Sequence, residues 1–216
     1  MKLRALSCLM LLSATTAGWA ENALKDVVID QSPAALRRGA ATVTGVCMAC
    51  HSLKYLHYRD LLKLGFSPED VAGMSMGNKL EDPLLAMTPP DVSEQTYGRV
   101  PPDLSLLAKA REDGPRYIYS LLIGFYQDKS GEINNHLYPG IRMPDILGWS
   151  SAEASQRAAL ATQANEAAAF LAWAADPRAE ERRSLGYYVI AYLVLLTGLL
   201  YLLKRRVWAR LGQGSN

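Results

Sequence analysis

The chain has 216 residues, of which 50% are hydrophobic and 20% charged, a balance that fits one globular domain together with membrane-directed segments. Its formal charge of +2 hides an asymmetry: Lys2 and Arg4 stand at the start, Lys204, Arg205, Arg206 and Arg210 near the end, and the middle sets all 21 acids against 17 of the 23 bases. An acidic middle excludes the broad basic surface that grips nucleic acid, and it makes the overall isoelectric point a poor guide to partners.

Residues 1–20 read as a secretory signal, with Lys2 and Arg4 ahead of an apolar stretch from Leu6 to Leu12 and small residues at Gly18-Trp19-Ala20. Cleavage is expected before Glu21, which removes Cys8 with the signal. A lipoprotein role for Cys8 fails because the apolar run before it is far too short. Residues 33–64 are predicted to be helical, with Pro33 near a helix start and Leu36, Ala40, Val43 and Cys47 forming one inward stripe.

Inside that stretch lies Cys47-Met48-Ala49-Cys50-His51, a C-x-x-C-H. Two thiols about one helical turn apart can add to the two vinyl groups on one edge of a porphyrin, and the adjacent imidazole then ligates iron. The rival readings are a disulfide and half of a zinc site. Zinc would want four ligands of this kind, and without Cys8 there is no third cysteine. The motif therefore predicts one covalently bound haem c, and export agrees with it.

The segment 65–102 holds six of the 11 prolines and is read as loop with short helical turns along one edge of the haem. Residues 103–126 return to helix, with Asp103 as a candidate N-cap and a second helix, Tyr117–Tyr126, starting after Gly114-Pro115. Residues 127–149 are loop again, and the alanine-rich stretch Ala152–Ala175 is helical up to Asp176-Pro177. Neither an internal repeat nor sustained β-structure is expected. Leu185–Leu203 is an uncharged run of 19 residues, about 28 Å as a helix against a bilayer core of about 30 Å. Tyr187, Tyr188, Tyr201 and Trp208 sit near its ends as interfacial aromatics do. The expected organisation is signal 1–20, outer haem domain 21–184, transmembrane helix 185–203 and basic cytoplasmic tail 204–216.

The sixth position of the iron must be filled from elsewhere. Met48 lies inside the attachment motif and cannot reach the far face. Met143-Pro144, 92 residues after His51 in a Gly/Pro loop before a long helix, is where a strap across that face is needed, and the proline stiffens it. Met74, Met76, Met87 and His136 stay open as alternatives, whereas His57 is set aside as lying on the same helix as His51. Met/His ligation raises the potential and leaves no open site for oxygen or peroxide, which argues for electron transfer over a peroxidase-like enzyme.

Taken together, these residues resemble the cytochrome c1 family of quinol–cytochrome c oxidoreductase (cytochrome bc1) complexes, from about residue 33 to 208. The marks are Arg37-Arg38-Gly39 before Cys47–His51, Tyr58-Arg59 after it, Pro101-Pro102-Asp103-Leu104-Ser105, Tyr119-Ser120-Leu121-Leu122, Tyr138-Pro139-Gly140 leading to Met143-Pro144, and Phe170–Pro177 ahead of the anchor. The resemblance implies a mainly α, class I cytochrome c-like haem domain whose anchor packs beside cytochrome b in a dimeric complex of a bacterial inner membrane. It implies an electron received from the Rieske iron–sulfur subunit and passed to a soluble periplasmic carrier, with no enzyme activity of the chain on its own. A stand-alone anchored cytochrome feeding a terminal oxidase is the alternative.

Carried over, Cys47 and Cys50 hold the porphyrin, His51 and Met143 ligate iron, and Pro102 lines the haem edge. Two departures stand out. Family members often carry an arginine some residues before the Pro-Pro, for a haem propionate. Here Ser93–Gly98 has none, and Arg99 is the nearest substitute. A second mature cysteine pair for a loop disulfide is also absent. Loop acids Glu69, Asp70, Glu81, Asp82, Asp91 and Glu94 are candidates for attracting a basic carrier.

Overall fold

A computed structural model describes residues 24–212. The expected signal, Cys8 and the last four residues lie outside this range. The first helix, α1 (Pro33–Gly45), starts because the Ser32 side chain accepts from the Ala35 N–H and Pro33 needs no donor of its own. Its buried stripe is Ala35, Gly39, Ala40, Val43 and Thr44, close to the sequence reading. A 3₁₀ turn, Cys47–Ala49, ends it.

The stretch beyond this turn corrects the expectation of continuous helix to residue 64. Leu53–His57 is a strand, β1, and Tyr58–Leu64 is a 3₁₀ helix that stops at Gly65 with φ of 80°. β1 pairs antiparallel with β2 (Pro83–Leu84), setting Leu53 opposite Leu84. Between them α2 (Pro68–Ser75) begins in a reciprocal Ser67–Asp70 capping box. Then come α3 (Pro90–Tyr97), the short α4 (Leu107–Ala110) and α5 (Gly114–Leu122).

Residues 103–126 thus differ in detail from the sequence reading. Asp103 does not cap a helix. Its carboxylate accepts from the Ser105 and Lys54 N–H groups, tying a turn to β1. The α5 helix starts three residues earlier than expected, at Gly114, and ends before the hairpin β3 (Phe125–Gln127) and β4 (Ile133–Asn135). The long α6 (Ala154–Ala174) matches its expectation, and α7 (Ala179–Gly212) contains the apolar run.

The core forms where α1 crosses α6. An ideal Cβ on Gly39 would collide with the Glu166 carbonyl oxygen, so only glycine lets the two backbones approach this closely. The neighbouring Arg38 Nε donates to the buried Glu166 carboxylate at 2.7 Å. Fully buried Phe170, Leu53, Leu56, Leu61 and Leu84 fill the space around the crossing. Helix α7 is long and apolar enough to cross a membrane and none of its apolar window is buried in the chain. The chain is mainly helical and ends in a membrane anchor.

Candidate functional site

The attachment motif is the turn that closes α1. His51 and Cys50 both donate their N–H to the Cys47 carbonyl, at 2.9 and 3.1 Å, which folds the five residues into a compact loop. The second residue of that loop, Met48, is only 2% exposed and packs into the core. Its carbonyl and that of Ala49 accept from the Met87 and Thr88 N–H groups, so a second segment braces the loop from behind. Cys47 and Cys50 are unbridged.

The Pro101–Ser105 segment runs alongside. Leu104 donates its N–H to the Ser52 carbonyl at 2.8 Å, and Tyr55 donates its N–H to the Ser105 hydroxyl at 3.1 Å. This pairing delivers the Pro102 carbonyl to within 2.7 Å of His51 Nδ1. A carbonyl can only accept, so Nδ1 carries the proton and Nε2 keeps its lone pair free for a metal. Burial holds the imidazole below its ordinary range, against smaller raising effects of the Pro102 carbonyl and Asp103. The ring is neutral, as a ligand must be.

Burial also pushes the Cys47 thiol up to about 11. Among the described residues, no group of three His, Cys, Asp or Glu side chains could hold a metal ion.

In front of the motif lies a cavity of about 290 Å³ whose lining is mostly apolar. Cys47, Cys50 and His51 form one wall, and Met143 with Pro144 stands on the strap that helps close the cavity. Pro102 and Arg99 line it as well, so all six residues singled out in the sequence meet in one space. Leu104, Ile118, Leu121, Leu122 and Leu171 supply the greasy walls. Two thiols beside an imidazole, a thioether and apolar walls are the donor set and surroundings that a haem c requires.

The other residues considered for the sixth position lie away from this cavity. Met74 packs against the core, Met76 is 72% and Met87 45% exposed, and neither they nor Met48 line the cavity. His136 stacks on Tyr126 with ring centroids 4.2 Å apart, at a separate groove. His57 ends β1 rather than riding the His51 helix, and its ring faces Asp60.

Sequence reasoning missed what builds the strap. Asn135 is fully buried; its Oδ1 accepts from the Leu137 and Tyr138 N–H groups, and its Nδ2 donates to the Leu121 carbonyl. Asn134 Oδ1 accepts from the Gly140 N–H, which starts the strap on its way. The adjacent Asn-Asn ahead of Tyr138-Pro139-Gly140 was the available signal. Arg111, Arg142, Tyr97 and Tyr138 also line the cavity, so Arg99 is one of three guanidinium groups there. Of the six loop acids, Asp70 caps α2 and Asp82 accepts from the Lys79 N–H, which gives these two local structural roles.

Comparison with known proteins identifies the family. The Cytochrome C1 family model matches residues 25–211. Cytochrome c1 of Rhodospirillum rubrum is 31% identical, over 80% of this chain and 80% of its own length. Cytochrome b/c1 of Bradyrhizobium diazoefficiens is 30% identical over 81% of this chain, which spans 33% of that longer protein. A protein of Nitrosomonas europaea named an ammonia monooxygenase gamma subunit is 29% identical over 85% of this chain and 89% of its own. With its haem motif, its anchor and this family match over nearly its whole length, the chain belongs to the cytochrome c1 family.

Proposed function

We propose that the chain is the electron-relay subunit of a bacterial bc1 complex, taking an electron from the Rieske iron–sulfur subunit and handing it to a soluble periplasmic cytochrome c or similar carrier. The observation that carries this reading is the meeting of Cys47, Cys50, His51, Met143, Pro102 and Arg99 around one apolar cavity. Cys47 and Cys50 would hold one haem through two thioethers, and His51 and Met143 would ligate its iron. When bound, the haem supplies an iron that cycles between ferric and ferrous states.

The protein's own residues do the rest. Pro102 fixes the His51 ring in the tautomer that presents Nε2. Leu104, Ile118, Leu121, Leu122 and Leu171 keep water away and favour the less charged state. Arg99 stands at the cavity for a propionate. With His51 and Met143 both given to the iron, the chain would relay electrons and would not act as an enzyme by itself. The same reading divides the chain by compartment: residues 21–184 lie in the periplasm, 185–203 cross the inner membrane, and the basic tail 204–216 is cytoplasmic. Partnership with cytochrome b is supported by the family and by a relative whose printed name joins b and c1. A dimeric complex is the assembly this reading implies.

The test is twofold. Oxidised protein should show the weak methionine–iron charge-transfer band at the red end of the visible spectrum, and Met143→Ala should abolish it. A band that survives the substitution refutes the ligand assignment. Purification from native membranes should bring cytochrome b and a Rieske protein along. The relative named as an ammonia monooxygenase subunit supports a second reading, a relay in a different oxidoreductase, and copurification with that enzyme instead would favour it.

A further inference from the structure

We propose that Arg142 and Gly98 form a latch that holds the Met143 strap shut over the haem, an inference that rests on Met143 as the distal ligand. Met143 sits on neither helix nor strand. The strap that carries it is secured upstream, where Asn134 and Asn135 accept backbone N–H groups as far as Gly140. It is secured again downstream, where the Asp145 carboxylate accepts from the Ser150 N–H at 2.6 Å. Between these points, among the described residues, the backbone N–H groups of Arg142 and Met143 have no partner. Met143 packs against the core, and among the described residues the hydrogen bonds from this stretch to a neighbouring segment come from the Arg142 side chain. Its guanidinium donates to the carbonyls of Tyr97 and Gly98, at 3.2 and 3.3 Å.

The receiving end is shaped for it. Gly98 is the C-cap of α3 with φ of 69°, a left-handed conformation that turns the last carbonyls of the helix outward. Carbonyls at a helix C-terminus lack intrahelical partners and carry the negative end of the dipole, so they suit a cation. A Cβ on Gly98 would collide with the Arg142 guanidinium nitrogen, so the glycine also leaves the space the latch occupies. Both hydrogen bonds leave one guanidinium nitrogen, Nη1, so a lysine keeps the charge but, with its shorter reach, copies the contact only in part. Tyr97, Arg99, Arg142 and Met143 all line the haem cavity, so latch and ligand face the same space. Arg142 is in this sense a positioning residue: it acts on the iron through the methionine next to it.

The experiment compares full-length, haem-loaded protein with Arg142→Gln, Arg142→Lys and Gly98→Ala variants. Gly98→Ala is the informative one, because it evicts the guanidinium without removing its charge. Two readouts are used: the methionine–iron band of the oxidised form, and carbon monoxide binding by the reduced form, which requires the methionine to leave. Loss of charge-assisted hydrogen bonds of this kind raises the methionine-off population about ten-fold. Arg142→Gln and Gly98→Ala are expected to share that rise and a weakened band, with Arg142→Lys in between. If Arg142→Gln alone changes the readouts, the residue acts through its charge on the haem and the latch is refuted. If neither changes them, the latch is refuted as well. Should Gly98→Ala fail to fold, Gly98→Asn, which tolerates the left-handed conformation and still fills the guanidinium's space, must show the same ten-fold rise. Met143→Ala serves as control: a band that persists there overturns the ligand assignment itself, an outcome distinct from failure of the latch.

Discussion

The two walls of the haem cavity are built in opposite ways. On one wall the groups are contiguous: Cys47 to His51 close a helix with local hydrogen bonds, and the core holds Met48 from behind. On the other, a single methionine rides a loop whose order comes from Asn135, Arg142 and Asp145, each reaching a different neighbour. A contiguous wall fails all at once and a strap fails by degrees. On the proposed function, covalent retention would belong to the first wall and adjustment of the redox properties to the second.

The largest effect should come from the first wall. Replacing both Cys47 and Cys50 with serine is expected to remove all haem that survives denaturing electrophoresis, whereas Met143→Ala keeps the haem attached. Equal retention in the double serine variant would dissolve the contrast. Next, Asn135→Leu strands two part-buried N–H groups and one carbonyl, at a cost of about 2 kcal/mol seen as a lower denaturant midpoint. Its strap should loosen, with a weaker methionine band, before the helices melt.

Gly39→Ala probes the support of the first wall. Alanine gains about 1 kcal/mol in helix propensity, but its Cβ meets a backbone oxygen that no rotamer can move aside. Overpacking of about 3 kcal/mol wins, for a net loss of about 2 kcal/mol in chemical denaturation. An unchanged midpoint would mean that α1 and α6 separate freely.

The smallest effect concerns pH. Hydrogen bonds from Arg182 and Lys109 lower the Asp176 carboxyl from 3.8 to about 2. Because the folded value lies below the unfolded one, the stabilisation is complete above about pH 3.8 and is lost as pH falls toward 2. In Asp176→Asn the acid limb of a stability–pH profile should be flatter over that window. A profile that matches the wild type would show that the pair contributes nothing.

The same contrast explains what could be read from the sequence. Helices α1 and α6 and the apolar run were legible because their periodicity, or its absence in an all-apolar stretch, is local. The C-x-x-C-H was legible for the same reason. Residues 53–64 were misread because Leu53, Leu56, Leu61 and Leu64 stand at spacings a helix would also use. What decides there is pairing of Leu53 with Leu84, 31 residues away, which no local pattern announces. Met143 was singled out by elimination and loop context. Arg142 was not, because its partners are backbone carbonyls of a distant segment, which leave no trace in side-chain chemistry, and Asn135 was passed over although the Asn-Asn pair stood in the sequence.

One joint has a consequence for how the molecule moves. Only four residues, 175–178, separate α6 from α7, one of them Pro177, and Asp176 within them is bound by Lys109 of α4 and Arg182 of α7. A tether that short and cross-braced leaves the haem domain little freedom to pivot on its stalk. On the proposed anchoring, this joint would limit how far the redox centre tilts above the bilayer, so electron exchange would depend on partners that come to it.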